Sequence, residues 1–168
     1  MNIEELRKNI DAVDDEIIDL IAKRYELVKE VGKIKESSSA AVFVPEREKR
    51  IMERLCAKSS FPKEIVSAVF REIISGARLF EHPITISYDK NDIFAIIATL
   101  SKFGSCINLK GFHSATEAVE AAENSLNTYA VIRTPSTNTA HPAIDIITIN
   151  NPSNNNQPLS YAVIGKKI

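Results

Sequence analysis

No stretch of this sequence stays apolar long enough to cross a membrane, and the N-terminal MNIEELRKN lacks the apolar core of a signal peptide. The expectation is a soluble protein of the reducing cytoplasm with no membrane partner. Cysteine is scarce: Cys56 and Cys106 fall in different segments, outside any Cys-x-x-Cys pair. The histidines His82, His113 and His141 are scattered as well, so no metal site is expected. A basic excess is missing too. With 21 Lys+Arg against 22 Asp+Glu the formal net charge is −1, which argues against a nucleic-acid binder and leaves any important cation to act locally. What is present is a chain of 168 residues, 44% hydrophobic and 26% charged, enough for one ordinary domain or two small ones around a core.

Two grammars divide the chain. Residues 1–82 read as helix, punctuated by Pro45 and Pro62, whereas residues 83–168 carry short β-branched runs, two short helices and polar loops. The joint is Glu81-His82-Pro83, because proline disfavours helix in the residue before it. The pattern predicts an all-α N-terminal domain of three helices, 1–82, followed by a small α/β lobe, 83–168. Within the lobe, strands are expected at 84–88, 106–109, 128–132, 143–149 and 160–164. Helices are expected at 93–103, capped by Asn91 or Asp92, and after Ser114 through Glu123. The segment from Asn150 to Pro158 reads as a flexible loop.

The first helix carries a seam: Leu6, Ile10, Val13, Ile17, Leu20, Leu27, Val31 and Ile34 follow steps of four and three, with no breaker before Ser37-Ser38-Ser39. Helix 2, from Pro45 to about Lys58, and helix 3, to about Phe80, are each near half its length and cannot cover it. Two chains laid along each other's first helices, an intertwined homodimer, would bury the stripe.

Charges sit where apolar residues belong. Arg24 fills the gap in the first seam, Glu48 the gap between Val44 and Ile51, and Glu81 ends the row Val66, Phe70, Ile73, Ala77. Arg7 and Lys35 flank the ends of the first seam, and Arg47 adjoins Glu48. Charge on a core face is costly unless paired or met by a ligand. One reading is a buried Arg24–Glu48 pair that sets register, with the other cations solvated. The other is a small di-acid held by guanidinium forks. No nucleophile–base pair or Gly-rich phosphate loop accompanies the cluster, so any chemistry there would work by positioning and electrostatics.

Residues 3–82 resemble the all-helical chorismate mutase family, especially mutase domains fused to prephenate dehydratase. The matching stretches are Leu6-Arg7-Lys8-Asn9-Ile10-Asp11, Arg24-Tyr25-Glu26-Leu27, Val31-Gly32-Lys33-Ile34-Lys35, Pro45-Glu46-Arg47-Glu48 and Val69-Phe70-Arg71-Glu72-Ile73-Ile74-Ser75. The resemblance implies a dimer with two sites, rearranging chorismate to prephenate in aromatic amino acid biosynthesis without a cofactor. It implies that Arg24 and Arg47 bind substrate carboxylates, that Arg7 comes from the partner chain, and that Lys35 donates to the ether oxygen and helps hold a carboxylate. Glu48 would accept from the ring hydroxyl.

Three positions depart from the commonest bacterial pattern. Glu81 stands where some members carry glutamine as second ether donor, so it must be protonated to help, a state that burial and a neighbouring anion favour. Ala77 replaces a serine that contacts a carboxylate. Val44 replaces an aspartate, which leaves only backbone contact there.

The lobe resembles a shortened first lobe of a prephenate dehydratase in His113-Ser114-Ala115-Thr116-Glu117, Tyr129-Ala130-Val131-Ile132 and Tyr161-Ala162-Val163-Ile164-Gly165. Asp89-Lys90-Asn91-Asp92 replaces the expected Gly-Pro-rich loop, and Leu159-Ser160-Tyr161 the Thr-Arg-Phe signature, which implies no dehydratase activity. Alternatives are a ligand or docking role for the lobe, or a structural appendage. For the whole chain they are an isochorismate-pyruvate lyase, or a non-catalytic dimeric binding module.

Overall fold

The computed structural model describes residues 2–38, 41–134, 142–151, 153–154 and 157–166. Ser39 of the serine cluster, His141, and Pro152, Asn155 and Asn156 of the polar loop lie outside them. Helix α1 spans Ile3–Ser38, a rod of 36 residues, about 54 Å long. Asn2 and Glu5 cap its start reciprocally: the Glu5 N–H donates to Asn2 Oδ1 at 2.9 Å and the Asn2 N–H to Glu5 Oε2 at 3.0 Å. Helix α2, Pro45–Lys58, opens on the proline that suits a first turn, and α3 runs over Lys63–Glu81. Among the described residues, no helix is long and apolar enough to cross a membrane.

Small residues set the α1–α3 spacing. The Tyr25 hydroxyl donates to the Ile73 carbonyl at 3.1 Å and covers Gly76, where a Cβ would stand 2.5 Å from the hydroxyl oxygen. Lower down, a Cβ on Gly32 would lie 3.2 Å from Glu81 Cα. Neither α2 nor α3 covers the long seam: Leu20 and Leu27 are each 65% exposed and Ile34 69% in the single chain.

The remaining elements are β1 (Thr85–Asp89), α4 (Ile93–Phe103), β2 (Asn108–Phe112), α5 (Ala115–Glu123), β3 (Thr128–Arg133), β4 (Asp145–Ile149) and β5 (Leu159–Ile164). They form a five-stranded sheet in the order β2-β1-β3-β5-β4. Strand β1 pairs in parallel with β2 and β3, whereas β5 runs antiparallel to β3 and β4. Period-2 alternation puts Tyr129, Val131, Tyr161 and Val163 on one face with α4 residues Ala95, Ala98 and Phe103, and Ala130, Ile132, Ala162 and Ile164 on the other with α5. Asp92 and Ser114 cap α4 and α5 through the N–H groups of Phe94 and Glu117.

Strand boundaries differ most from the sequence expectation at β2 and β4, and by one residue elsewhere. The second strand begins at Asn108 rather than Cys106, because the Ser105 and Cys106 N–H groups donate to Glu72 and Ser75 of α3 instead. Strand β4 begins at Asp145 rather than 143. Between α4 and β2, Gly104 takes φ 74°, and a Cβ there would lie 2.6 Å from Ser75 Cβ, so both conformation and contact require glycine.

Part of the α1–α2 connection is buried. Val42 and Phe43 are buried, 8% and 2% exposed, in the same apolar cluster as Ile84, Ile86, Phe103 and Tyr129 of the sheet-bearing half. The Phe43 N–H donates to the Tyr129 hydroxyl at 3.2 Å, and its ring packs against Phe103 and Tyr129, centroids 4.8 and 5.4 Å away.

Candidate active site

Arg24, Lys35, Val42, Val44, Arg47, Glu48, Ala77, Arg78 and Glu81 converge on one cleft with a free volume of about 90 Å³. Helix α1 contributes Arg24 and, eleven residues or about three turns later on the same side, Lys35. The first turn of α2 contributes Arg47 and Glu48, whose N–H groups both bond to the Val44 carbonyl at 3.1 and 3.2 Å. The last turns of α3 supply Ala77, Arg78 and Glu81, spaced so that all three face α1 and α2. All but one of the site residues expected from the sequence therefore meet. The exception is Arg7, which is exposed on α1 and paired with Glu4 at 2.8 Å. It stands 17 residues from Arg24, about 26 Å along the rod, and does not line the cleft.

Charge in the cleft does not cancel. Lys35 Nζ lies 2.5 Å from Glu81 Oε1 and donates to the Ala41 carbonyl at 3.1 Å. Glu48 pairs with Arg78, not with Arg24, which removes the register-setting pair weighed from the sequence. Four cations and two carboxylates line the cleft, and each carboxylate is matched. Arg24 and Arg47 are left over, with no carboxylate partner among the described residues. Arg24 Nη1 is buried without a hydrogen-bond partner. Burial holds its guanidinium below the ordinary range; Tyr25 opposes that shift and Arg47 adds to it. An arginine short of a counter-charge beside a second cation is arranged to receive an anion.

Arg78 was not among the residues expected from the sequence. Its signal was available: it lies four residues after Ile74, on the apolar side of α3. The buried pair Val42-Phe43 was a second missed signal, since large apolar side chains in a connection between helices are out of place on a surface. Among the described residues, no group of three or more His, Cys, Asp or Glu could hold a metal ion.

A family model for chorismate mutase type II matches residues 6–82, which are the helices that build the cleft. Among curated proteins, the bifunctional chorismate mutase/prephenate dehydratase of Aquifex aeolicus is 37% identical over 92 residues, covering 51% of this chain and 25% of that protein. The T-protein of Haemophilus influenzae is 33% identical over 98 residues, 56% of this chain and 26% of its own length. This chain thus spans about a quarter of those longer relatives. The chorismate mutase of Methanocaldococcus jannaschii is 38% identical over 73 residues, covering 42% of this chain and 74% of that protein. A family model over the three helices around the cation cleft, together with a match over most of a shorter relative, means that this chain belongs to the type II chorismate mutase family.

Proposed function

We propose that this chain is a chorismate mutase, turning chorismate into prephenate by a one-step rearrangement with no covalent intermediate. The observation that carries the reading is the charge balance of the cleft: two internal ion pairs leave Arg24 and Arg47, two cations for the two carboxylates of the substrate. In the rearrangement the breaking ether oxygen gains negative charge, so donors aimed at it stabilise the transition state more than the ground state. Lys35 supplies a donor for that oxygen, and Glu81, 2.5 Å from its Nζ, fixes where the lysine stands. Glu48 accepts from the ring hydroxyl, Val44 and Ala77 shape the wall, and the fixed cations hold the side chain over the ring. The reaction needs no cofactor.

Residues 1–82 form the mutase domain and 83–168 a lobe descended from a dehydratase that no longer dehydrates. The uncovered seam of α1 supports a homodimer in which each Arg7 completes the partner's site.

The test is incubation of the full chain with chorismate and identification of the product. Prephenate is expected; an unchanged substrate overturns the reading, and isochorismate cleaved to pyruvate would reassign it. For the dimer, Arg7→Ala and Arg24→Ala proteins are each expected to be inactive. Unfolded and refolded together, they should recover about a quarter of wild-type activity, because half the dimers are mixed and each has one intact site. No recovery removes Arg7 from the site.

A further inference from the structure

The α3–α4 junction is a two-way exchange of hydrogen bonds. Glu72 accepts from the Ser105 N–H and hydroxyl at 3.0 and 2.8 Å, and Ser75 Oγ accepts from the Cys106 N–H at 2.9 Å. In return, Arg78 Nη1 donates to the Phe103 carbonyl at 2.7 Å. Phe103 is the last residue of α4, and the final carbonyls of a helix have no partner within it and carry its negative dipole end. Arg78 therefore caps α4 from a different element. Its guanidinium is also fixed against the rings of Phe103 and Phe43, at 5.5 and 6.0 Å, and only 4% of the residue is exposed.

The other end of the same guanidinium faces the cleft. Nη2 donates to Glu48 Oε1, and Glu48 Oε2 has no protein donor among the described residues. A fork with one arm on the α4 terminus and one on Glu48 transmits the position of α4 to the carboxylate. We infer that Arg78 is a positioning residue for the proposed rearrangement: seated on the C-terminal end of α4, it orients Glu48 toward the substrate hydroxyl, so the α/β lobe sets part of the mutase site's geometry. This depends on the activity proposed above, and the lobe then acts on catalysis with no chemistry of its own.

The experiment is a double-mutant cycle in the full-length chain, with kcat/KM for chorismate measured on proteins of matched helical content. Arg78→Gln alone and Glu48→Gln alone are each expected to lower kcat/KM by ~10- to 100-fold, the scale on which a displaced catalytic contact acts. If Arg78 works through Glu48, adding Arg78→Gln to Glu48→Gln costs less than about twofold more. Arg78→Lys keeps the cation but loses the fork, and guards against misfolding of the glutamine variant. It should show a smaller loss that also vanishes in the Glu48→Gln background. Losses that multiply across the cycle, or an Arg78→Lys protein as active as wild type, overturn the inference while leaving the mutase activity intact. A wild-type chain that leaves chorismate unchanged overturns the activity first and this inference with it.

Discussion

Arg24 holds a half-buried guanidinium with one nitrogen that has no protein partner among the described residues, a cost that an anion bound there would offset. Arg24→Ala is therefore expected to reduce kcat/KM by at least ~100-fold while leaving the thermal unfolding midpoint unchanged or raised. A variant that unfolds instead would mark a structural role. Tyr161, outside the cleft, sets an alkaline limit on stability. Burial, opposed by its hydrogen bond with Arg133, pushes its hydroxyl from 10.0 up to about 12. The unfolded chain then ionises first, so folding stability falls as pH rises from 10 to about 12. Urea denaturation on either side of that window measures the loss, and Tyr161→Phe should abolish this contribution.

Among the elements, the close approach of α1 and α3 at Tyr25 requires Gly76. Gly76→Ala places a methyl group 2.5 Å from the Tyr25 hydroxyl oxygen, against a phenol tied to the Ile73 carbonyl. Chemical denaturation should show a loss of about 1–3 kcal/mol, the usual scale of overpacking. Elements defined by local rules were readable in advance. Pro45 placed the start of α2, Pro83 the end of α3, and Asp92 and Ser114 the starts of α4 and α5. Misplaced features depend on partners distant in sequence. Strand β2 starts late because α3 claims the donors of Ser105 and Cys106. Glu48 meets Arg78 rather than Arg24 because the lobe fixes Arg78. Periodicity could flag Glu48 and Arg24 as misplaced charges, but it could not say which cation would take the carboxylate.

At the scale of the molecule, Phe43 joins the two halves. Phe43→Ala should cost ~3–5 kcal/mol, and should also weaken turnover, since the neighbouring Val42 and Val44 line the cleft. A thermal melt with paired kinetics tests both; a stability loss with unchanged kcat/KM would confine Phe43 to packing. The same linkage bears on how the protein is made. Phe43 finds its hydrogen-bond partner in Tyr129, 86 residues further on. At roughly 5–20 residues per second on the ribosome, that partner follows by roughly 4 to 17 s. The helical half is thus translated with one wall of its cleft unmoored, and a nascent chain stalled before β3 would hold the three helices but not a finished site.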